Sequence, residues 1–349
     1  MAFFEDDGNR RIFLNPVALD YSFITKLIPY RENQQHHIAT CIKPLLQNRN
    51  GKNLFIHGKP GIGKTVATMH VLNEMEEKTD IAPIYINCWK KNTAHKIILE
   101  ICERVGYKFT LNKSTDELTE IITGILNKGS CVICLDECDK MEYNDIIYDL
   151  LENIYKKTII LITNNKSWLD KLDMRIKSRL NCDLIEFKPY NYEETLGILK
   201  QRIEYAFHPN TLNKEALEKI SKKSFELQDV RTGIYLLKES GDIAEFKNKN
   251  KIEVEDVDES IKKLDNFKIK DSEDIDEILN DILELIKLND GKSSRELFDI
   301  YGKDSYKTFK RKLNELEKNK LISTKEVNSG LHGKKTIVNY GSLKKLSEY

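Results

Sequence analysis

The chain has 349 residues, room for two or three domains, and its 56 Lys and Arg equal its 56 Asp and Glu, so net charge singles out no partner. With 32% charged residues, no apolar run near the length of a membrane span and an N-terminus (MAFFEDDGNRR) unlike a signal peptide, the composition speaks against membrane-spanning and secreted classes and suggests a cytoplasmic protein. The seven cysteines stand mostly in apolar contexts, as in a reducing compartment.

In chain order, Asn15-Pro16 marks a loop, and residues 31–46 read as a helix entered through Pro29-Tyr30-Arg31-Glu32. The apolar run 54–56 reads as a buried strand. It feeds the glycine-rich turn Gly58-Lys59-Pro60-Gly61-Ile62-Gly63-Lys64-Thr65. Residues 66–75 then have helical spacing, with Val66, Met69, His70 and Leu72 near one face. Strand, G-x-x-x-x-G-K-[ST] and helix together are the context a phosphate-binding loop requires. The glycines let successive N–H groups point at phosphate oxygens, and the helix N-terminus adds partial positive charge. Lys64 is expected to reach the β- and γ-phosphates of ATP, and the Thr65 hydroxyl to ligate Mg²⁺.

A second apolar run, 82–86, ends at Asn87, and a helix covers about 94–105. The polar stretch Tyr107 to Ser114 leads to a helix that Ser114 caps, with Glu117 three residues on. The third run, 131–135, ends in Asp136-Glu137-Cys138-Asp139, and the fourth, 158–162, in Thr163-Asn164-Asn165. A fifth, 184–187, closes at Pro189. Five short apolar runs separated by helical stretches predict an α/β fold with a parallel sheet covered on both faces. Ligands of such sheets bind at the carboxyl ends of the strands, where Lys64, Asp136, Glu137 and Asn164 fall. Asp136 suits a Mg²⁺ ligand acting through water, Glu137 a base for the attacking water, and Asn164 an amide that orients that water. Arg175 and Arg179 precede the fifth run, where a guanidinium suits transition-state charge in the same subunit or a neighbour; surface ion pairing is the ordinary alternative. Cys131, Cys134 and Cys138 are not expected to bind metal, because strand residues three apart face opposite ways and no partner pair follows.

From Tyr192 strands give way to helices over about 192–206, 214–223, 229–244 and 254–264. A polar linker, Lys268 to Asp274, precedes helices at 275–289, 293–300 and 305–319, followed by two short strands around Gly330 and Gly333. In the last helix Tyr306, Phe309, Leu313 and Leu316 form one apolar stripe, leaving Ser305, Lys307, Lys310 and Arg311 on its remaining surface. Residues 291–349 carry 14 Lys and Arg against 7 Asp and Glu, whereas 271–290 carry 1 against 8. The basic end, including Lys334 and Lys335, suits duplex DNA or, as the ordinary alternative, a solvated lysine-rich helix; the order of three helices and two strands is compatible with a recognition helix and a wing.

Taken together these segments resemble the archaeal origin-recognition and cell-division-cycle type replication initiators. The resemblance rests on PYRE before the first helix, GKPGIGKT, the INC after the second run, CLDECDK, LITNN, RIKSRL, EFKPYNYEETLGIL, DVRTGIYLLKESGDIAE and VEDVDESIKKL, in that order. It implies an AAA+ ATPase base (1–190), a helical lid (191–267) and a C-terminal winged-helix DNA-binding domain (272–349). It further implies nucleotide contacts by Tyr30, Arg31 and Gly58 to Thr65, Walker B roles for Asp136 and Glu137, and sensor 1 at Asn164. Arg179 fits its arginine finger and Arg231 its second sensor. Implied partners are double-stranded origin DNA, other initiator subunits and the replicative minichromosome maintenance helicase, in the cytoplasm with the nucleoid; the implied ligands are ATP or ADP and Mg²⁺. Two departures stand out. The stretch 107–114 lacks the Pro- and Gly-containing turn that leads to the family's DNA-contacting helix, and Gln228 replaces the usual glycine before Arg231. Two other readings fit a P-loop with a winged helix: a signalling ATPase with an autoinhibitory winged helix, and a mobile-element helicase loader or transposition ATPase.

Overall fold

The computed structural model describes residues 12–21, 23–303, 305–318, 321–328 and 334–340, with backbone alone at 266–278, 280, 318, 326–328 and 334. The chain divides into two compact units, Met1–Ser260 and Ile261–Tyr349, each with its own core.

In the first unit, α1 (Glu32–Ile42), β1 (Leu54–His57), α2 (Lys64–Lys78), β2 (Ala82–Asn87), α3 (Ala94–Arg104) and α4 (Thr115–Leu126) precede β3 (Cys131–Asp136). Then come α5 (Asp145–Asn153), β4 (Lys157–Thr163), α6 (Met174–Leu180) and β5 (Asp183–Glu186). The five strands form one parallel sheet in the order β2-β3-β4-β1-β5. Period-two alternation sorts their side chains into two layers. Phe55, Ile133, Leu135, Ile159 and Leu161 pack under α3 to α6, while Leu54, Ile56, Val132, Ile160 and Ile162 pack under α1 and α2. Each such aliphatic side chain removed from water contributes about 1.5–3 kcal/mol. Cys131 and Cys134 fall in opposite layers, as their spacing predicts, and all seven cysteines are free.

The predicted helix 31–46 ends as an α-helix at Ile42 and continues as a 3-10 turn, Lys43–Gln47, because Pro44 has no N–H to donate. The buried stripe of α2 is Ala67, Thr68, Val71, Leu72 and Met75, whereas Val66, Met69 and His70 flank it half-buried.

Helices α7 (Tyr192–Ala206), α8 (Lys214–Leu227) and α9 (Val230–Phe246) form a helical subdomain completed by the start of α10 (Val254–Leu288). Each of the first three begins at a capping side chain: Asn191, Asn213 and Asp229 accept from Glu194 N, Glu215 N and Arg231 N. Asp229 is thus a cap rather than the first helical residue. The N-terminal segment straps this subdomain, with Phe13 stacked on Phe207 and Arg202 donating to Ala18 O and Phe23 O.

The second unit holds the rest of α10, α11 (Ser294–Tyr301), α12 (Tyr306–Lys318) and an antiparallel pair, β6 (Ile322–Asn328) and β7 (Lys334–Tyr340). Ile282, Ile286, Leu297, Phe309, Leu313, Leu316, Ile322 and Val338 form its core. The expected linker at Lys268 to Asp274 is instead helical backbone, continuous with both flanking helices. The expected turn residues Gly330 and Gly333 lie outside the described residues.

Candidate functional site

Polar side chains gather at the carboxyl ends of β1, β3 and β4. The loop after β1 closes into α2 at Gly63, whose φ of 89° is left-handed and whose Cβ direction runs into the Tyr190 hydroxyl, so glycine suits the position. Ile62 sinks its side chain into the core, which turns its carbonyl toward Arg31. Lys64 is the first residue of α2, buried under the loop. Its Nζ donates to Gly58 O at 2.9 Å, Lys59 O at 2.7 Å and Asn164 Oδ1 at 2.7 Å. Burial pulls the Lys64 ammonium down to about 8, against the restoring charges of Glu137 and Asp136.

Asn164, just past β4, bridges two functions. Its Oδ1 faces the Lys64 ammonium while its Nδ2 donates to both carboxylate oxygens of Glu137, at 3.0 and 2.8 Å. Glu137 sits just past β3 with φ 53°, a left-handed backbone that swings its carboxylate toward Asn164. Asp136 is buried and fully engaged: Oδ2 accepts from Thr65 Oγ1 at 2.7 Å and Tyr85 OH at 2.8 Å, and Oδ1 from Glu137 N at 2.9 Å. Hydroxyl and carboxylate oxygens this close form the donor set a hard divalent cation takes, so Thr65 and Asp136 fit a nucleotide-associated metal.

Tyr85 escaped the sequence reading. Burial, then the Asp136 carboxylate, pushes its phenol far above the ordinary value, so it stays a proton donor to Asp136. Its signal was weak: it occupies the edge strand β2 at a position where an aromatic residue ordinarily means packing.

Arg31 is buried and occupies the N-cap position of α1, where its side chain makes no capping hydrogen bond. Its guanidinium donates to Ile62 O from Nε at 3.2 Å and Nη2 at 3.0 Å, and to Lys188 O at 2.7 Å, with its carbon 3.8 Å from the Tyr190 ring centre. It therefore braces the loop from behind. Tyr30, at φ 63°, is exposed and lies against Gly197 of α7.

The turn between α8 and α9 lies on the same loop. Val230 N donates to Gly61 O at 3.3 Å, Lys59 Nζ to Gln228 Oε1, and a Cβ at Gly61 would sit 1.9 Å from Asp229 Oδ1. Gln228 has φ 53°, the left-handed end of α8 that glycine tolerates best. Exposed Arg231 opens α9, and its charge depresses the Lys64 pKa from across this space. Pro60 completes the turn between Lys59 and Gly61.

Arg179 is elsewhere. Its Nε pairs with Glu152 and its guanidinium covers the Tyr148 ring at 4.7 Å, while Arg175 pairs with Asp173. In the stretch 107–114, Asn112 at φ 59° makes the turn without glycine, and Phe109 and Leu111 are 77% and 89% exposed.

In the second unit Phe309, Leu313 and Leu316 of the stripe are core residues, the half-buried Tyr306 packs edge-on against Phe298, and Lys307, Lys310 and Arg311 are exposed on α12. Ser305 caps that helix, accepting from Thr308 N at 3.3 Å. Lys335 is exposed on β7; the Lys334 side chain lies outside the described residues.

Residues 47–167 match the AAA domain family, and residues 196–262 the Cdc6 AAA+ ATPase-type lid domain. The ORC1-type DNA replication protein 1 of Sulfurisphaera tokodaii is 29% identical over 94% of this chain and 90% of its own. That of Archaeoglobus fulgidus is 31% identical over 73% of this chain and 66% of its own. Among solved structures, the Aeropyrum pernix ORC1 protein in complex with DNA superposes with a TM-score of 0.71 at 22% identity, covering 97% of this chain and 95% of that one. Cdc6p from Pyrobaculum aerophilum superposes at 0.67 with 19% identity, over 95% of both chains. An AAA+ base with a Cdc6-type lid, matched almost end to end by ORC1-type proteins, places the chain in the archaeal ORC1/Cdc6 family of AAA+ replication proteins.

Proposed function

We propose that this protein is an ATP-dependent replication initiator that binds origin DNA and helps recruit the replicative minichromosome maintenance helicase, with ATP binding and hydrolysis as its switch. The observation that carries the reading is the contact between the lid turn and the phosphate loop, Val230 N to Gly61 O, with Arg231 facing Lys64. A phosphate held by the loop changes the surroundings of both residues at once, so nucleotide state can set lid position.

Within this scheme Lys64 would exchange its three oxygens for the β- and γ-phosphates, and Thr65 and, through water, Asp136 would hold Mg²⁺. Glu137 takes the proton of the attacking water, and Asn164 keeps that water and the glutamate in register. Mg²⁺ supplies charge neutralisation on the phosphates. Arg179, paired on its own chain with Glu152 rather than with the phosphate loop, acts on the nucleotide of a neighbouring initiator subunit. The second unit acts as a winged helix, placing Lys307, Lys310 and Arg311 at the major groove and Lys334 and Lys335 along the backbone. Exposed Phe109 and Leu111 between Lys108 and Lys113 suit an additional minor-groove contact.

The test is duplex binding of the full chain with ATP, ADP or no nucleotide, beside Lys64→Ala. Origin-proximal DNA should be preferred over random duplex, and the affinity should depend on which nucleotide is present. Equal affinity for all sequences and all nucleotide states would point instead to a signalling ATPase. Co-precipitation of the helicase, stronger in one nucleotide state, tests the recruitment step.

A further inference from the structure

We propose that His37, Cys41 and Asp183 form a binding site for a zinc-class divalent metal ion, separate from the nucleotide site. His37 and Cys41 stand at i and i+4 on one face of α1. Asp183 opens β5 and pairs with Leu54, the first residue of β1, so the cluster lies at the end of the sheet opposite the phosphate loop.

The donor atoms already converge. Asp183 Oδ2 is 3.3 Å from His37 Nε2 and 3.7 Å from Cys41 Sγ, and all three lie within 4.8 Å of one another. Tetrahedral zinc with ordinary bond lengths has nitrogen–oxygen and sulfur–oxygen edges of about 3.3 and 3.5 Å, so only small rotations would seat an ion. Among the described residues no other group of His, Cys, Asp and Glu brings three donors this close.

A thiolate, an imidazole and a carboxylate select zinc, cobalt or nickel over magnesium or calcium. Cys41 is fully buried, whereas His37 and Asp183 are partly exposed, which leaves a fourth position open to water. Two negative ligands balance the dication. Lys52 Nζ, 3.7 Å from the same carboxylate oxygen, is mostly exposed and can swing into solvent as the ion replaces its charge. Burial and then Asp183 push the Cys41 thiol up to about 11, so in the metal-free protein it is protonated. The sulfur–metal bond forms as that proton leaves to solvent. A bound ion would tie α1 to β5.

Chelator-stripped full-length protein, free of nucleotide, should be titrated with Co²⁺. The expected result is a thiolate-to-cobalt charge-transfer band in the near ultraviolet, saturating at one equivalent and displaced by Zn²⁺. Zn²⁺, but not Mg²⁺, should also raise Tm. Cys41→Ser should lose the band, and His37→Gln or Asp183→Asn should weaken binding roughly tenfold or more. Because His37 and Asp183 are partly exposed, these two variants keep the test open should Cys41→Ser fail to fold. No band, a band that survives Cys41→Ser, or a zinc-induced Tm shift undiminished in His37→Gln would leave the three groups as a hydrogen-bonded cluster only and overturn the proposal.

Discussion

Lys64 commits all three of its ammonium hydrogens to loop carbonyls and Asn164, so phosphate has to compete with them for a cation whose pKa is already down at about 8. Below pH 8 the free protein holds Lys64 charged and ready for phosphate; above it, binding must first recapture a proton. ATP affinity is therefore expected to fall as pH rises past about 8, by up to tenfold per unit, with proton uptake visible by calorimetry in buffers of different ionisation heat. For folding the sign is reversed: the burial penalty on the charged lysine is relieved as pH climbs from about 8 toward its ordinary 10.5. Glu137 makes a second residue-scale prediction. Glu137→Gln should leave ATP affinity within a few-fold and slow hydrolysis by about 10²-fold or more, read by single-turnover assay. Turnover at the normal rate would remove Glu137 as the base. Lys64 and Thr65 are legible in the sequence because they close a glycine-rich motif between a strand and a helix, and Asp136, Glu137 and Asn164 because each follows the end of an apolar run. Tyr85 is not, since its hydroxyl finds Asp136 across 51 residues of chain. Arg31 was expected beside the nucleotide, and its hydrogen bonds place it behind the loop that faces it.

At the scale of elements, helix beginnings marked by a capping residue are readable, whereas the endings of α1, α8 and α10 are not. Ser114 and Glu117 form the reciprocal cap their spacing announces, and α7 runs over the expected residues. In α10 the charge density from Lys268 suggests a linker. Yet residues 254–288 contain neither glycine nor proline, and Lys and Glu are good helix formers, so no signal stops the helix. The short helices α5 and α6 went unread because their nine and seven residues give too few turns for a periodic pattern. Helix α12 carries the third prediction. Its inward stripe leaves Lys310 and Arg311 in solvent, so reversing both charges should not disturb the core. Lys310→Glu with Arg311→Glu is expected to weaken duplex affinity and to reduce the salt slope by about 2, with Tm unchanged. An unaltered slope would remove α12 from the DNA interface.

For the whole molecule, charge is balanced in total and divided along the chain, acidic over 271–290 and basic over 291–349. Among the described residues no helix is long and apolar enough to cross a membrane. Assembly is the remaining question at this scale, and Arg179 gives it a test. Its partners Glu152 and Tyr148 are on α5, away from the loop it would have to serve in its own chain. Arg179→Ala and Lys64→Ala should each lose ATP turnover by about 10³-fold. Mixed together on DNA they should recover it, because one subunit keeps the nucleotide and the other the arginine. Failure to recover, with both variants still bound to DNA, would confine the arginine to its own subunit.

Arg31 ties two distant stretches of chain to one planar cation: the Ile62 carbonyl of the phosphate loop and the Lys188 carbonyl just ahead of the helical subdomain. Neither stretch can shift far without tugging the other through that shared fastening. In the proposed switch the root of the lid would thereby feel what the glycine turn holds, by a route that needs neither Asn164 nor the turn at Gln228 to Val230.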